Sequence, residues 1–381
     1  MSWRAHEHDL EFNRYREAGR PSHDQSDDLS PLEFHKSLPN YTPTKLHELK
    51  EIARALNVRR IWAKDETLRF GLPSFKILGA SWAIHRVLCD RLGRSPSELR
   101  TFADLRDEIA KSEPPMLIAA TAGNHGRAVA RVANLLSLES QIFVPADILP
   151  AKVEAIESEG ASVAHVDGSF DEAVNLAAVS ASDRRLVISD TSWPGYEQVP
   201  RWITQGYSTI FAEVDNELGK REESLPTHVM VQIGVGALGA AVVRHYGEQA
   251  TLIGVESRLA ACLLLSVRTG EPVSVEGPHH SIMSGLNAGV PSPIAWPHLR
   301  TGIDAFIAIE DSSGADAVAL LARSGLAVGA TGSAGLAGLL DIAHRPEDPQ
   351  VRERLGINEE ASILLLLTDG PISPPEPASV D

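Results

Sequence analysis

The stretch HVMVQIGVGALGAAVVRHY, residues 228–246, contains the pattern that decides the fold. It begins with a largely apolar run, His228–Ile233, which is typical of a buried strand. Glycines follow at the three positions of a Gly-x-Gly-x-x-Gly loop, and an apolar helical run continues through Tyr246. A strand, a glycine loop and a helix in this order form a βα unit, which predicts a parallel strand in an open sheet.

The same alternation of strands and helices recurs along the chain. A continuous apolar run such as Ile363–Leu367 is expected where both faces of a sheet are covered. The sequence predicts further strands at 60–63, 116–120, 141–144, 162–166, 185–188, 251–255, 305–309 and 363–367. It predicts further helices at 44–56, 75–88, 127–136, 151–158 and 170–181. The predicted fold class is therefore α/β with a largely parallel sheet.

Composition and charge exclude several classes of protein. The 381 residues include 35 Lys and Arg against 51 Asp and Glu, and this net charge of −16 argues against a general nucleic-acid binder. The two cysteines, Cys89 and Cys262, form neither a CxxC pair nor a Cys/His cluster, so we expect no metal site and a reducing compartment. The N-terminus lacks the apolar segment of a signal peptide, and no apolar run reaches the ~20 residues of a membrane span. We therefore expect a soluble cytoplasmic protein with no membrane partner and no nucleic-acid partner.

The glycine loop at residues 234–239 has three interpretations. Its backbone N–H groups and the following helix N-terminus both favour an anion such as a phosphate. The same spacing is the fingerprint of a dinucleotide site, which requires an acidic residue about 20 residues further on, and Glu256 stands near that distance. The third interpretation is a packing turn without a ligand. The loop alone does not separate these alternatives.

Three other polar segments stand at element boundaries. PSFK, residues 73–76, begins a helix; the helix dipole there favours the neutral amine that Schiff-base chemistry needs, although a solvated lysine is the commoner role. TAGNHG, residues 121–126, lies between a buried strand and a helix, where it either binds a carboxylate or phenolate or forms a tight turn. TDG, residues 368–370, follows the last strand and brings a hydroxyl to the same sheet edge, or is a simple turn.

In this order along the chain, the four segments resemble those of the fold-type II family of pyridoxal-phosphate enzymes, the group of tryptophan synthase β and threonine dehydratase. The resemblance runs from about Tyr41 to Gly370, and within the group it points to the diaminopropionate ammonia-lyases. The segments that carry it are RFGLPSFKILG at 69–79, DTSWPGY at 190–196, WITQGY at 202–207 and SIMSGL at 281–286.

The resemblance implies two interleaved open-sheet domains of the tryptophan-synthase-β-like architecture. Residues 41–77 plus 191–381 would form the large cofactor-binding domain, residues 78–190 the small domain, and residues 1–40 an N-terminal arm. It also implies a homodimer that uses pyridoxal 5′-phosphate on a small amino-acid substrate. The implied reaction is a β-elimination that yields a 2-oxo acid and ammonia.

The resemblance also implies roles for individual residues. Lys76 would hold the cofactor covalently and later move the Cα proton of the substrate. Phe75 would lie against the cofactor ring, Asn124 would bond its 3′-oxygen and Thr368 its ring nitrogen. The cofactor phosphate would be bound by Gly234, Val235, Gly236, Ala237 and Gly239. The substrate carboxylate would be surrounded by Thr121, Gly123 and His125.

One position departs from the family pattern. Ammonia-lyases of this family carry an aspartate directly before the Gly-Asn-His-Gly loop, where it is taken as the base for the D-isomer, whereas this chain has Ala122. The second family acid is kept as Asp190, our candidate for steering a β-ammonium group. We therefore hypothesise a β-substituted L-amino acid such as L-2,3-diaminopropionate, with Lys76 as the only Cα base.

Three alternatives remain open at this point. Ala122 is similar to the small residue of threonine-dehydratase loops, so a threonine- or serine-type dehydratase acting on a β-hydroxy amino acid competes with the ammonia-lyase. The loss of the aspartate also allows a catalytically idle relative that binds the cofactor. A nicotinamide oxidoreductase would use the 234–239 loop and Glu256, but it would leave Lys76 and Thr368 without a role.

Overall fold

The computed structural model describes residues 9–17, 29–121, 123–168, 170–345 and 350–371, without the side chain of Asp171. These residues belong to two compact units. The bounds of the first unit are Met1–Asp24, Pro43–Arg69 and Ile210–Asp381, and those of the second are Gln25–Thr42 and Phe70–Thr209.

Strands and helices alternate over most of the described chain. The strands are β1 (Leu10–Phe12), β2 (Leu46–Glu48), β3 (Arg60–Asp65), β4 (Met116–Ala120), β5 (Ser140–Pro145), β6 (Ser162–Val166), β7 (Arg185–Val187), β8 (His228–Gln232), β9 (Thr251–Ser257), β10 (Ala305–Ile309) and β11 (Ser362–Leu367). The helices are α1 (Pro31–Lys36), α2 (Lys50–Ala55), α3 (Lys76–Leu92), α4 (Phe102–Ile109), α5 (Asn124–Leu135), α6 (Pro150–Glu157), α7 (Phe170–Val179), α8 (Gln198–Gly206), α9 (Ser208–Lys220), α10 (Ala237–Tyr246), α11 (Cys262–Thr269), α12 (Trp296–Gly302), α13 (Asp311–Arg323), α14 (Ala330–Ala343) and α15 (Gln350–Arg354). Within the described ranges, no helix is long and apolar enough to span a lipid bilayer.

The first unit is built on one sheet, whose described strands follow the order β1-β10-β9-β8-β11-β3-β2. The inner strands are parallel, while β1 and β2 pair antiparallel at the two edges. Every residue of β8 and β11 is buried, and α10 and α14 pack on the sheet. Burial on both faces explains the continuous apolar sequence of these strands. Because β8 and β11 are parallel neighbours, the segments that follow them begin at the same edge of the sheet.

The first unit also contains a cluster of four buried charged side chains, Lys64, Glu66, Arg69 and Glu213. The first three precede the PSFK segment in the chain. Nζ of Lys64 donates a 2.6 Å hydrogen bond to Oε2 of Glu213. The guanidinium of Arg69 donates to Glu213 at 2.7 Å and to Glu66 at 2.8 Å. All four side chains are at most 2% exposed, so each charge depends on its partners rather than on water.

The second unit contains a smaller sheet, whose described strands follow the order β6-β5-β4-β7 and are all parallel. Helix α3 packs closely on α8 in this unit. A Cβ atom on Gly79 would lie 2.6 Å from Cε1 of Tyr207, and one on Gly206 would lie 2.5 Å from the carbonyl oxygen of Leu78. Glycine at both positions therefore lets the start of α3 and the end of α8 approach each other.

The predicted strands and helices are largely present, but the predicted helix at 44–56 is not continuous. Its first part is strand β2, in which Leu46 pairs with Lys64, and α2 follows. The N–H of Leu49 donates to the carbonyl oxygen of Ile61 at 2.8 Å. Pairing with a strand further along the chain thus outweighs the local helical periodicity.

Two segments without a clear sequence pattern contain regular structure. Residues 1–40 include β1 and α1, and residues 92–115 include α4. Both helices begin with a capping box, formed around Ser30 in α1 and Thr101 in α4. This local signal is present in the sequence but is hidden by polar and proline-rich surroundings. The limits predicted for the arm and for the two domains stay a prediction.

Candidate functional site

The amine of Lys76 lies at the N-terminal end of α3 and contacts a carboxylate. Helix α3 begins at Lys76, directly after Phe75, and no side chain caps this helix end. Nζ of Lys76 donates a 2.8 Å hydrogen bond to Oδ2 of Asp190. The two side chains keep 27% and 16% of their surface exposed. The lysine predicted to move the Cα proton and the acid predicted to steer a β-ammonium group are therefore in direct contact, although they are far apart in the sequence.

The charge state of Lys76 differs from the expectation of a neutral amine. Burial disfavours the ammonium form, but the carboxylate of Asp190 outweighs burial and raises the pKa of Lys76 above its ordinary value. Burial would raise the pKa of Asp190, yet the ammonium of Lys76 that donates to it holds that pKa well below its usual range. The free side chains form an ion pair at neutral pH, so the expectation of a neutral amine is wrong for the unmodified lysine.

His125 brings a second acceptor to the same place. Its Nε2 lies 2.8 Å from the carbonyl oxygen of Ile188, so this nitrogen carries the hydrogen and donates it. Its Nδ1 lies 3.9 Å from Oδ2 of Asp190 and has no hydrogen-bond partner among the described residues. Burial, assisted by the charge of Lys76, lowers the pKa of His125 and keeps the ring neutral. A lone pair on Nδ1 and a carboxylate so close together favour a cation beside them.

Tyr196 holds the loop that carries Asp190. Its hydroxyl donates to the carbonyl oxygen of Val187 at 2.8 Å and accepts the N–H of Ser189 at 2.9 Å. Its ring stacks on Trp193, with the ring centroids 4.1 Å apart. The backbone just before Asp190 is thus tied to the aromatic pair that follows it, which fixes the position of the carboxylate.

Tyr207 also lies at this site, although its sequence context did not predict a functional role. Its side chain is fully buried, and its ring packs edge-on against Phe75 with centroids 4.7 Å apart. Burial raises the pKa of Tyr207 to about 12. The phenol therefore keeps its proton at neutral pH. The WITQGY segment contained the signal, but an aromatic residue among apolar ones is more typical of packing.

The TAGNHG loop is held by one of its own side chains. Oγ1 of Thr121 accepts the N–H groups of Gly123 at 2.9 Å and of Gly126 at 3.1 Å. No side chain caps α5, which begins at Asn124. The side chain of Asn124 is exposed and has no hydrogen-bond partner within the described part of the chain. The loop thus offers an uncapped helix end and a free amide to a ligand; Ala122 lies outside the described residues.

The glycine loop joins β8 to α10. Among the described residues, the backbone N–H groups from Gly234 to Gly239 have no acceptor, and no side chain caps α10. Packing explains two of the glycines, because a Cβ atom on Gly236 would lie 2.8 Å from Cβ of Ala295, and one on Gly239 would lie 2.8 Å from Cδ2 of Leu299. Close packing and unpaired N–H groups occur together, and such N–H groups are the donors that a phosphate requires.

Thr368 follows β11 and is hydrogen-bonded to a residue on the neighbouring strand. Its side chain is 3% exposed, and Oγ1 accepts a 2.9 Å hydrogen bond from Nε2 of Gln232. Gln232 is the last residue of β8 and is also 3% exposed. Gln232 was not predicted from the sequence, because the strand pairing that joins it to Thr368 is visible only in the folded chain.

Glu256 does not fit the acidic residue of a dinucleotide site. It is fully buried, and its carboxylate accepts the N–H groups of Leu263 at 2.9 Å and Leu264 at 2.7 Å in the first turn of α11. Burial, although opposed by these hydrogen bonds, raises the pKa of Glu256 to about 8. Both oxygens are committed to a helix end, so the nicotinamide alternative loses the acidic residue on which it depended.

The predicted site residues form one group in each unit. The second unit brings together Lys76, Asp190 and His125, with Phe75 beside the lysine. In the first unit, the 234–239 loop and Thr368 begin at the same sheet edge. Within the described ranges, no set of three or more His, Cys, Asp or Glu side chains is arranged to hold a metal ion.

Comparison with known proteins gives matches over nearly the whole chain. The model of the family described as pyridoxal-phosphate dependent enzyme matches residues 38–369. A diaminopropionate ammonia-lyase of Salmonella typhimurium is 35% identical over 358 residues, which cover 90% of this chain and 89% of the relative. An L-threonine ammonia-lyase of Geobacter sulfurreducens is 32% identical over 246 residues, which cover 62% of this chain and 56% of the relative.

A solved structure supports the same comparison. The Escherichia coli diaminopropionate ammonia-lyase, in complex with an aminoacrylate–PLP azomethine reaction intermediate, matches with a TM-score of 0.85 and 30% sequence identity. The match covers 96% of this chain and 94% of that chain. It confirms the predicted fold class.

Proposed function

This chain belongs to the family of pyridoxal-phosphate-dependent enzymes, and from that premise we propose that it is an ammonia-lyase that acts by β-elimination. The proposed substrate is 2,3-diaminopropionate or a similar β-substituted L-amino acid, and the products are a 2-oxo acid and ammonia. The observation that carries the proposal is the 2.8 Å contact between Nζ of Lys76 and Oδ2 of Asp190. It places an amine that can transfer a proton beside a carboxylate that can also attract the ammonium group of a substrate.

The donor set of the chain fits the cofactor. The unpaired N–H groups of the 234–239 loop suit a phosphate, which they would bind without a Lys or Arg cluster. The free amide of Asn124 suits the 3′-oxygen, the ring of Phe75 suits a planar heterocycle, and the hydroxyl of Thr368 suits a ring nitrogen. When bound, pyridoxal phosphate supplies an electron sink that makes the Cα–H bond of an amino acid more acidic.

Lys76 has two roles in this proposal. Its Nζ holds the cofactor between turnovers, and when the substrate amine has displaced it, the same nitrogen removes the Cα proton. A base must be deprotonated to accept a proton, and in this proposal another cation takes the place of Lys76 beside Asp190 at that moment, which removes the cause of the raised pKa of Lys76.

The β-ammonium group of diaminopropionate is the cation that fits this requirement. The carboxylate of Asp190 and the lone pair on Nδ1 of His125 lie 3.9 Å apart and attract a positive group. When the β-ammonium replaces Lys76 as the partner of Asp190, the lysine loses its counter-ion, its pKa falls, and more of it is the neutral amine that can accept a proton. The substrate carboxylate binds at the uncapped N-terminus of α5, with Thr121, Gly123 and His125 around it.

A substrate panel tests this function directly. Purified protein loaded with the cofactor should release ammonia and a 2-oxo acid from L-2,3-diaminopropionate, and Lys76→Ala should abolish the release. Borohydride should attach the cofactor to Lys76. Failure to develop visible absorbance with pyridoxal phosphate would exclude the proposal altogether.

The role of Asp190 is tested by the nature of the leaving group. Asp190→Asn should slow elimination from a β-amino substrate more than from a β-hydroxy one, because a neutral leaving group does not need the carboxylate. Equal losses on both substrates would argue against the role.

We also propose that the substrate has the L-configuration. The family base for the D-isomer is replaced by Ala122, which cannot move a proton. Turnover of the L-isomer should exceed that of the D-isomer at equal enzyme concentration, and equal rates for D- and L-2,3-diaminopropionate would contradict the assignment.

Ala122 is also compatible with a second candidate function. A small residue before the Gly-Asn-His-Gly segment suits a threonine- or serine-type dehydratase, and the same panel decides between the two by including L-serine and L-threonine. A catalytically idle relative would bind the cofactor and turn over none of these substrates. We further propose a cytoplasmic homodimer, which light scattering of the holoprotein and fractionation of cells would test.

A further inference from the structure

The side-chain amide of Gln232 donates hydrogen bonds to two backbone carbonyl groups and to one hydroxyl. Its Nε2 lies 2.6 Å from the carbonyl oxygen of Leu366, 2.9 Å from Oγ1 of Thr368 and 3.4 Å from the carbonyl oxygen of Gly332. All four residues belong to the first unit, where β8 and β11 are neighbours.

These contacts settle which way the amide points. Carbonyl oxygens only accept hydrogen bonds, so the side-chain atom 2.6 Å from Leu366 must be the donor nitrogen. A flipped amide would bring Oε1 of Gln232 into contact with two other acceptors. The nitrogen therefore faces Thr368, and it donates to the hydroxyl oxygen rather than accepting from it.

The donation from Gln232 decides what the Thr368 hydroxyl can do next. A hydroxyl has one hydrogen to donate, and within the described residues the hydrogen of Thr368 has no acceptor. The side chain is 3% exposed, so water does not readily serve instead. A ligand atom beside Thr368 completes the hydrogen bonding only if it accepts that hydrogen. A ligand N–H in the same place would leave a buried hydroxyl hydrogen unpaired.

A second feature suggests that Gln232 is not there for stability. Its Oε1 is buried and has no hydrogen-bond partner among the described residues. A buried amide with half of its hydrogen-bonding capacity unused is costly, whereas an apolar residue would suit the sheet. The hydrogen bond to Thr368 is the interaction that an apolar residue could not make.

We propose that Gln232 is a positioning residue that makes the Thr368 hydroxyl a hydrogen-bond donor and so keeps the cofactor ring nitrogen beside it unprotonated. This inference rests on the proposed function, because it takes Thr368 as the partner of the ring nitrogen. A neutral ring withdraws fewer electrons than a protonated one. Gln232 thereby favours loss of the β-substituent and disfavours side reactions, such as transamination, that need a stronger electron sink.

The test measures the protonation of the ring nitrogen in the holoprotein. Protein loaded with pyridoxal phosphate carrying ¹⁵N in the ring is compared by NMR between pH 6 and pH 9, a range of about three units. The wild-type nitrogen should have the chemical shift of an unprotonated pyridine throughout. In Gln232→Met, which keeps the length of the side chain but removes the donor, the apparent pKa of the ring nitrogen should rise by about one unit or more. The fraction of turnovers that end in transamination should rise as well.

The matched control is Ser333→Ala. Ser333 is a fully buried hydroxyl on α14 that donates to the carbonyl oxygens of Ala330 and Gly314, and it does not contact Thr368. Its removal should leave the nitrogen signal unchanged, so a general loosening of the unit cannot imitate the expected effect.

Several outcomes would overturn the inference, and they are distinguishable from failure of the proposed function. A protonated ring nitrogen in the wild type would overturn it without any variant, even if Gln232→Met failed to fold. A signal that moves in Thr368→Val but not in Gln232→Met would leave Thr368 as the partner and remove the role of Gln232. A signal that moves in neither variant would also overturn the inference, while ammonia release by the wild type would still support the ammonia-lyase assignment.

Discussion

Replacement of Asp190 by Asn should change cofactor capture and catalysis in opposite directions. The carboxylate of Asp190 raises the pKa of Lys76, and the amide of an asparagine would keep the size of the side chain but not its charge. More of the lysine would then be neutral at pH near 7, and the neutral amine is the form that attacks an aldehyde. We therefore expect Asp190→Asn to take up the cofactor faster while it eliminates ammonia from diaminopropionate more slowly.

The geometry sets the size of the effect on the pKa of Lys76. Two unit charges 2.8 Å apart attract each other by about 1.5 kcal/mol at an effective dielectric constant of ~80 and by about 6 kcal/mol at ~20. Since one pKa unit corresponds to about 1.4 kcal/mol, loss of the charge lowers the pKa of Lys76 by roughly one to four units. Both side chains keep contact with solvent, at 27% and 16% exposure, so we expect the lower half of that range. The neutral fraction at neutral pH then rises about ten- to a hundredfold.

The assay follows visible absorbance after cofactor-free protein is mixed with pyridoxal phosphate, over a series of pH values. In both proteins the logarithm of the association rate should rise with pH. The rise should begin at a lower pH in Asp190→Asn than in the wild type. Asp147→Asn is the control, because Asp147 is an exposed acid of the same unit and its removal changes the net charge equally. An association rate in Asp190→Asn that equals or falls below that of the wild type at neutral pH would refute the reasoning.

Three further predictions concern stability. Glu256 has a pKa raised from 4.5 to about 8 in the folded protein, so its contribution to stability is fully present below pH 4.5 and is lost as pH rises towards 8. In urea unfolding, the free energy of unfolding of the wild type should fall by about 4–5 kcal/mol over this range relative to that of Glu256→Gln. Parallel pH profiles of the two proteins would contradict this prediction. Gly79→Ala should lower the melting temperature and cost about 1–3 kcal/mol, because the new Cβ would meet the ring of Tyr207 at 2.6 Å; a melting temperature equal to that of the wild type would show that the helices can separate at no cost. Glu213→Gln should cost about 3–5 kcal/mol of unfolding free energy, because it leaves the buried ammonium of Lys64 without a carboxylate, whereas the exposed ion pair broken by Glu217→Gln should cost less than about 1 kcal/mol; similar losses would rule out a special role for burial.

Much of the fold could be predicted from the sequence, because its determinants are local. The apolar run Ile363–Leu367 had to be a strand covered on both faces, and the loop at 234–239 had to join a strand to a helix. Parallel strands end at one edge, so polar residues after strand ends were sound candidates for a site. The predicted helix at 44–56 was wrong in its first part, because β2 is stabilised by pairing with β3 rather than by its own periodicity.

The candidate site divides in the same way between sequence and tertiary structure. The sequence by itself predicted roles for Lys76, Asn124 and Thr368, through the segments around them and the family that these segments resemble. The charge of Lys76, the neutral state of His125 and the hydrogen-bond direction of Thr368 were decided only by the tertiary structure. The partners that determine these states stand elsewhere in the chain: Asp190 is 114 residues from Lys76, and Gln232 is 136 residues from Thr368. Helix dipoles and hydrophobic periodicity act between neighbours in sequence, whereas protonation depends on the charges and hydrogen bonds that folding brings within a few ångströms.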